Sequence, residues 1–73
     1  MNEKISKIFN DMANLLEIKG ETSFRINAYK KAAKLLESLK EDVFTIYKEK
    51  GTKGIKKIEG VGESIAKKIE EYI

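Results

Sequence analysis

Residues 58–73 read IEGVGESIAKKIEEYI, and their pattern constrains the architecture more than any other part of the chain. Two glycines one residue apart, Gly60 and Gly62, precede a run with apolar residues at helical spacing and two adjacent lysines, Lys67 and Lys68. A Gly-X-Gly turn that opens a helix aims free backbone N–H groups at one point, backed by the positive end of the helix dipole. An anion is the natural occupant of such a place. Ile58 and Val61 straddle Gly60 and are placed to point between the two flanking helices. The glycines then supply backbone angles that a side chain resists, and they leave the loop bare enough for a phosphate oxygen to approach the amides of Gly60 and Gly62. In the final helix Ile65, Ile69 and Tyr72 share a stripe, with Ala66 and Ile73 beside it.

The rest of the chain is read by the same periodicity, which predicts an all-α bundle of four to five short helices. Ile5, Ile8, Phe9, Met12, Leu15 and Leu16 follow a three-four spacing and predict a helix from about Asn2 to Lys19, stopped by Gly20. Thr22 or Ser23 caps a second helix. There Tyr29, Ala32, Ala33, Leu36 and Leu39 share one arc, and Asn27, Lys30, Lys31, Lys34 and Ser38 the opposite, largely basic one. The two alanines on the apolar arc predict close approach to another helix. Asp42 caps a third helix carrying Val43, Phe44, Ile46 and Tyr47 and ending near Gly51. Thr52 caps a helix of one to two turns with Ile55 and Ile58, which brings the count to five. Connections are short and proline is absent, so residues 1–73 are expected to form a single domain, with the glycine turn and its two flanking helices at about 53–73.

Composition narrows the chemistry. A chain of 73 residues buries only about 60% of its unfolded surface, too little for a deep substrate cleft. Without cysteine or histidine, disulfides, thiolate zinc sites, imidazole bases and histidine-dependent triads are excluded together. Any reaction would have to use Lys, Arg, Tyr or carboxylates. No long apolar run and no signal-peptide block is present, so membrane partners are not expected and the chain reads as intracellular: cytoplasmic, or nucleoid-associated if prokaryotic.

The net charge of +3 is modest, and its distribution says more. Residues 1–20 hold three cations and three acids; between Arg25 and Lys34 there are four cations and no acid; from Lys50 to Lys68 six lysines face Glu59 and Glu63. Two local excesses of this kind suit a phosphate-facing surface if the fold brings them together.

IEGVGESIAKKI resembles the helix-hairpin-helix DNA-binding motif. SFRINAYKKAAKLLESL, residues 23–39, resembles the second-helix signature of the amino-terminal domain of family X DNA polymerases, the DNA polymerase beta group. Arg25, Asn27, Ala28, Tyr29, Lys31, Ala32 and Ala33 carry the more specific part of the likeness, which covers nearly the whole chain. The resemblance implies a small domain that grips gapped or nicked DNA without reading sequence, ahead of carboxy-terminal polymerase modules that this chain lacks. The DNA-facing set it suggests is Gly60, Val61, Gly62, Ser64, Lys56, Lys57 and Lys67 around the hairpin, with Arg25, Tyr29, Lys30, Lys31 and Lys34 from the second helix. No resident cofactor is implied, but a Na+ or K+ ion bridging the carbonyls of Lys56, Ile58 and Val61 to a phosphate is, when DNA is bound. Glu59 departs from the family by standing where proline is usual, and it is expected to point away from the strand.

Some members of that family also cleave 5′-deoxyribose phosphate through a Schiff base on a lysine of the last helix, a position matched by Lys68. At 100° per residue Lys68 lies about 60° from Ile65, on the shoulder of the apolar stripe, where a lowered pKa would make it a nucleophile. Arg25, Tyr29 and Lys56 match groups that hold the 5′-phosphate in lyase-active relatives, whereas Phe24 and Ser64 replace basic ones. Tyr29 is expected to pack in the core with its hydroxyl emerging near Arg25. Three readings thus leave the sequence: DNA binding, a lyase using Lys68, and a helical protein-interaction module.

Overall fold

The computed structural model covers residues 1–73 and is all-helical: α1 spans Asn2–Ile18, α2 Ser23–Ser38, α3 Val43–Lys56 and α4 Glu63–Tyr72. No helix is long and apolar enough to cross a membrane.

α1 and α2 form an antiparallel pair, as the cross-links show: Ser6 near the start of α1 meets Ala33 and Glu37 late in α2, while Glu17 near the end of α1 meets Lys30. Gly20 stops α1 as expected. Its φ of +76° turns the chain so that the Glu21 N–H returns to the Leu16 carbonyl at 2.9 Å. Thr22 is the cap of α2, its Oγ1 accepting from the Arg25 N–H at 3.4 Å. Ile26, Tyr29, Ala32, Ala33 and Leu36 are buried on the inner face of α2, and the small side chains of Ala32 and Ala33 let α1 approach. The seam carries a polar stitch that periodicity does not reveal. Buried Ser6 donates its hydroxyl to the Ala33 carbonyl at 2.9 Å, with Glu37 Oε1 at 3.2 Å as a second acceptor.

The expected stripe on α1 needs one correction. Leu15 is exposed and Ala13 buried in its place, because Leu15 lies about 120° round from Phe9 at 100° per residue, beyond the arc that α2 covers. Phe9 is the hub of the core. It is fully buried and meets Tyr29 edge-on at 5.5 Å and Tyr72 at 6.3 Å between ring centroids, which joins α1, α2 and α4 through one side chain.

The third and fourth expected helices run together as one assigned element, α3, broken where the sequence reading ended the third. Gly51 has φ 66° and ψ −157°, a conformation reserved for glycine. Asp42 caps this element, its Oδ1 accepting from the Phe44 N–H at 2.8 Å. Thr52 does not cap; its hydroxyl donates to the Glu70 carboxylate and ties the second half of α3 to α4. Ile58 falls in the turn after Lys56 instead of on a helix. Gly54, which periodicity passes over, is buried, and a Cβ there would stand 2.6 Å from Lys50 Cβ and 3.0 Å from Ile46 Cγ2. The absent side chain allows the two halves of α3 to fold tightly past the kink.

Candidate nucleic-acid interface

The turn from Lys57 to Gly62 joins α3 to α4. Val61 is buried and half-buried Ile58 packs on the same core, so both apolar residues anchor the hairpin from beneath, as their spacing predicts. The Val61 N–H donates to the Ile58 carbonyl at 3.0 Å and closes the turn. Val61 is therefore an anchor, and its amide is not available to an anion.

The two glycines differ in role. Gly60 has φ +92°, which a side chain resists. Gly62, expected to share that property, is an ordinary extended residue at φ −83° and ψ 174°. An added Cβ at Gly62 would meet nothing within 4 Å, so what glycine provides there is bare backbone. Gly62 is the N-cap of α4 and offers no side-chain cap. The N–H groups of Gly60, Gly62, Glu63, Ser64 and Ile65 have no acceptor within the protein. Five donors thus surround one exposed corner, with the α4 dipole behind three of them.

Of the two basic regions, only that of α2 lines this corner. Lys31, Lys34 and Leu35 of α2 line a furrow of about 570 Å3 whose other side is Gly60. Lys31 also lines an adjoining cavity of about 520 Å3, together with Phe24, Gly60, Gly62 and Ser64. Both openings share Lys31 and Gly60, so they form one furrow between α2 and the hairpin. Neither Lys31 nor Lys34 is in an ion pair, and the same is true of Lys57 and Lys67. Lys57, however, lines a separate cleft with Lys50 and Glu41, apart from the α2 lysines. Exposed Lys67 stands on the outer side of α4.

The remaining cations named from the sequence are engaged with carboxylates. Arg25 Nη1 lies 3.1 Å from Glu21, Lys30 Nζ 3.7 Å from Glu17, and Lys56 Nζ 3.6 Å from Glu63. Glu63 was not singled out in the sequence, though an acid in the first turn of a helix is a recognisable partner of the dipole. It sits beside the free amides and is the one acid among the residues lining the Phe24 side of the furrow. Glu59 is exposed and makes no ion pair. Tyr29 is 6% exposed and packs edge-on against Phe9, as expected.

Lys68 departs from expectation. Its Nζ lies 3.3 Å from Glu71 Oε2, and that carboxylate, by hydrogen bond and by charge, holds its pKa above the ordinary lysine value, with the phenols of Tyr29 and Tyr72 acting in the same direction. That direction is opposite to the lowering a Schiff-base nucleophile requires. Among the hairpin carbonyls, those of Lys56 and Val61 accept no backbone hydrogen bond, and that of Ile58 accepts one, from Val61.

Comparison with known families agrees with this geometry. The profile of the helix-hairpin-helix domain family matches residues 1–73, the entire chain, and the protein belongs to that family. No curated protein matches it.

Proposed function

We propose that this helix-hairpin-helix domain binds gapped or nicked duplex DNA without reading its sequence, as the amino-terminal domain of a family X-like repair polymerase. Helix-hairpin-helix domains in general bind DNA non-specifically. The observation that carries the reading is the junction at Gly60, where the unpaired lysines of α2 flank the free amides of the hairpin and α4. Backbone amides on a bare turn recognise a phosphate oxygen and carry no base information, and lysines add a sequence-independent attraction. The family X reading rests on the signature at Arg25 to Ala33, whose Tyr29, Ala32 and Ala33 pack as a core face while Arg25, Asn27 and Lys31 stay outside.

The carbonyls of Lys56, Ile58 and Val61 would hold a Na+ or K+ ion when DNA is bound. Two of them lack hydrogen-bond donors and the third retains a lone pair, which suits a hard, weakly held cation. Such an ion supplies positive charge between carbonyl oxygens and a phosphate. Lyase chemistry is the weaker reading, since Glu71 pairs with Lys68 and shifts its pKa upward, opposite to the direction a Schiff-base amine requires.

Titration of labelled gapped duplex at several salt concentrations tests the main proposal. The logarithm of affinity should fall linearly with the logarithm of salt, by about 0.9 per phosphate engaged. Absent or salt-independent binding would leave a protein-interaction module as the better account.

A further inference from the structure

Glu63 is the first residue of α4. It lines the same cavity as Gly60, Gly62 and Ser64, whose N–H groups have no acceptor within the protein. A corner suited to an anion thus includes an anion of its own. Lys56 Nζ stands 3.6 Å from the Glu63 carboxylate, so that cation is engaged by the acid before any ligand arrives. Charge along the furrow is balanced as well: Lys31 and Lys34 are its two cations, Glu37 and Glu63 its two acids. Of the cations that match phosphate-holding groups in lyase-active relatives, Arg25 is paired with Glu21 and Lys56 with Glu63. What is left to attract a phosphate at Gly62 is the set of amides, the α4 dipole, equivalent to about half an elementary charge, and Lys31 across the cavity.

Phosphates in DNA come with two charges. A phosphodiester inside a strand carries a single negative charge, whereas a terminal phosphate monoester carries about −1.5 to −2 at pH 7, its last proton leaving near pH 6. Either can accept hydrogen bonds from the amides, so those bonds do not tell the two apart. Charge does, because the second charge of a monoester meets the Glu63 carboxylate and finds no further unpaired cation in the cavity. We propose that Glu63 determines which phosphate the hairpin accepts, favouring the singly charged phosphodiester within a strand and disfavouring the doubly charged phosphate at a 5′ terminus. This inference rests on the DNA-binding reading above and adds the class of phosphate selected. The domain then seats on the strand at a position inside the duplex flank, and the chemical state of the 5′ end at a gap or nick is not what recruits it.

Wild type, Glu63→Gln and Glu59→Gln are each titrated, in low salt, with one gapped duplex in two forms that bear a 5′-phosphate or a 5′-hydroxyl at the gap. Titrations are run at about pH 7.5 and about pH 5.5, on either side of the last proton of the monoester. Glu63→Gln keeps the side-chain length and removes the charge. At the higher pH it should raise the affinity for the phosphate-ended form, relative to the hydroxyl-ended form, roughly three- to tenfold over wild type, the effect of one charge at short range near a protein surface. At the lower pH the difference should shrink, because the terminal phosphate then carries close to a single charge. Glu59 is exposed and lines neither part of the furrow, so Glu59→Gln should strengthen both forms alike and leave their ratio unchanged. A ratio equal in wild type and Glu63→Gln, a ratio moved as far by Glu59→Gln, or a wild-type preference for the phosphate-ended form would overturn the role of Glu63 while leaving amide capture standing. Failure of wild type to bind either form would remove the DNA-binding reading as well.

Discussion

A methyl group on Gly60 would stand 3.6 Å from Cδ2 of Leu35, an ordinary contact distance across the seam between the hairpin and α2. Space is therefore not what demands glycine at Gly60; its φ of +92° is. At Gly62 neither space nor backbone angle demands it, and only the openness of the amides is left to explain its place.

Two substitutions should separate accordingly. Gly60→Val is expected to lower stability by about 1–2 kcal/mol through backbone strain, visible as a lowered Tm. Gly62→Val, which introduces no positive-φ strain and only a poorer N-cap, should lower Tm less than Gly60→Val and weaken DNA binding by roughly tenfold, the scale of one lost charge-assisted hydrogen bond. Unaltered affinity in Gly62→Val would count against amide capture.

Lys31 and Lys34 lie in the furrow without carboxylate partners. Alanine at either should reduce the salt dependence by up to about 0.9 in slope and lower affinity evenly across DNA sequences. Lys57→Ala, which changes the separate cleft, should alter the slope less. The check is a set of salt titrations on two unrelated DNA sequences.

The Lys68–Glu71 pair has a defined pH signature. Because the folded-state pKa of Lys68 is raised above 10.5, the pair's contribution is complete below that pH and is lost as pH rises through the folded value. Glu71→Gln should abolish this alkaline component and lower the Lys68 pKa, followed by NMR of the lysine side chain. With wild type near neutral pH, borohydride treatment on an abasic 5′ end should trap no adduct. An adduct lost in Lys68→Ala would reinstate the lyase.

Asp42 ties the start of α1 to the start of α3: its Oδ2 lies 2.9 Å from the Met1 ammonium while its Oδ1 caps α3. The ammonium hydrogen bond, together with the Phe44 N–H, holds its pKa below 3.8. This contribution is present above pH 3.8 and declines as pH falls through the folded value. Asp42→Ala should cost about 1 kcal/mol at neutral pH. Asp42→Asn retains a capping oxygen, so its deficit should be smaller and should shrink on acidification, as chemical denaturation across pH would report.

Helix positions, stops and caps were legible because they depend on neighbours a few residues away. Gly20 and Gly51 ended helices, Thr22 and Asp42 capped them, and Ile58 and Val61 could be set beneath the hairpin from spacing alone. What periodicity could not resolve depends on partners distant in sequence. Leu15 is exposed since α2 covers only part of α1. Ser6 is buried since the Ala33 carbonyl, 27 residues on, accepts its hydrogen. Likewise, the two basic segments carried their charge in the sequence, but packing decided which of it faces the hairpin: Lys31 and Lys34 came to rest beside Gly60, and Lys57 in a separate cleft. Local backbone preference and periodic burial are properties of short segments; electrostatic fields and surface continuity belong to the folded arrangement, because they fall off with distance through space and not along the chain.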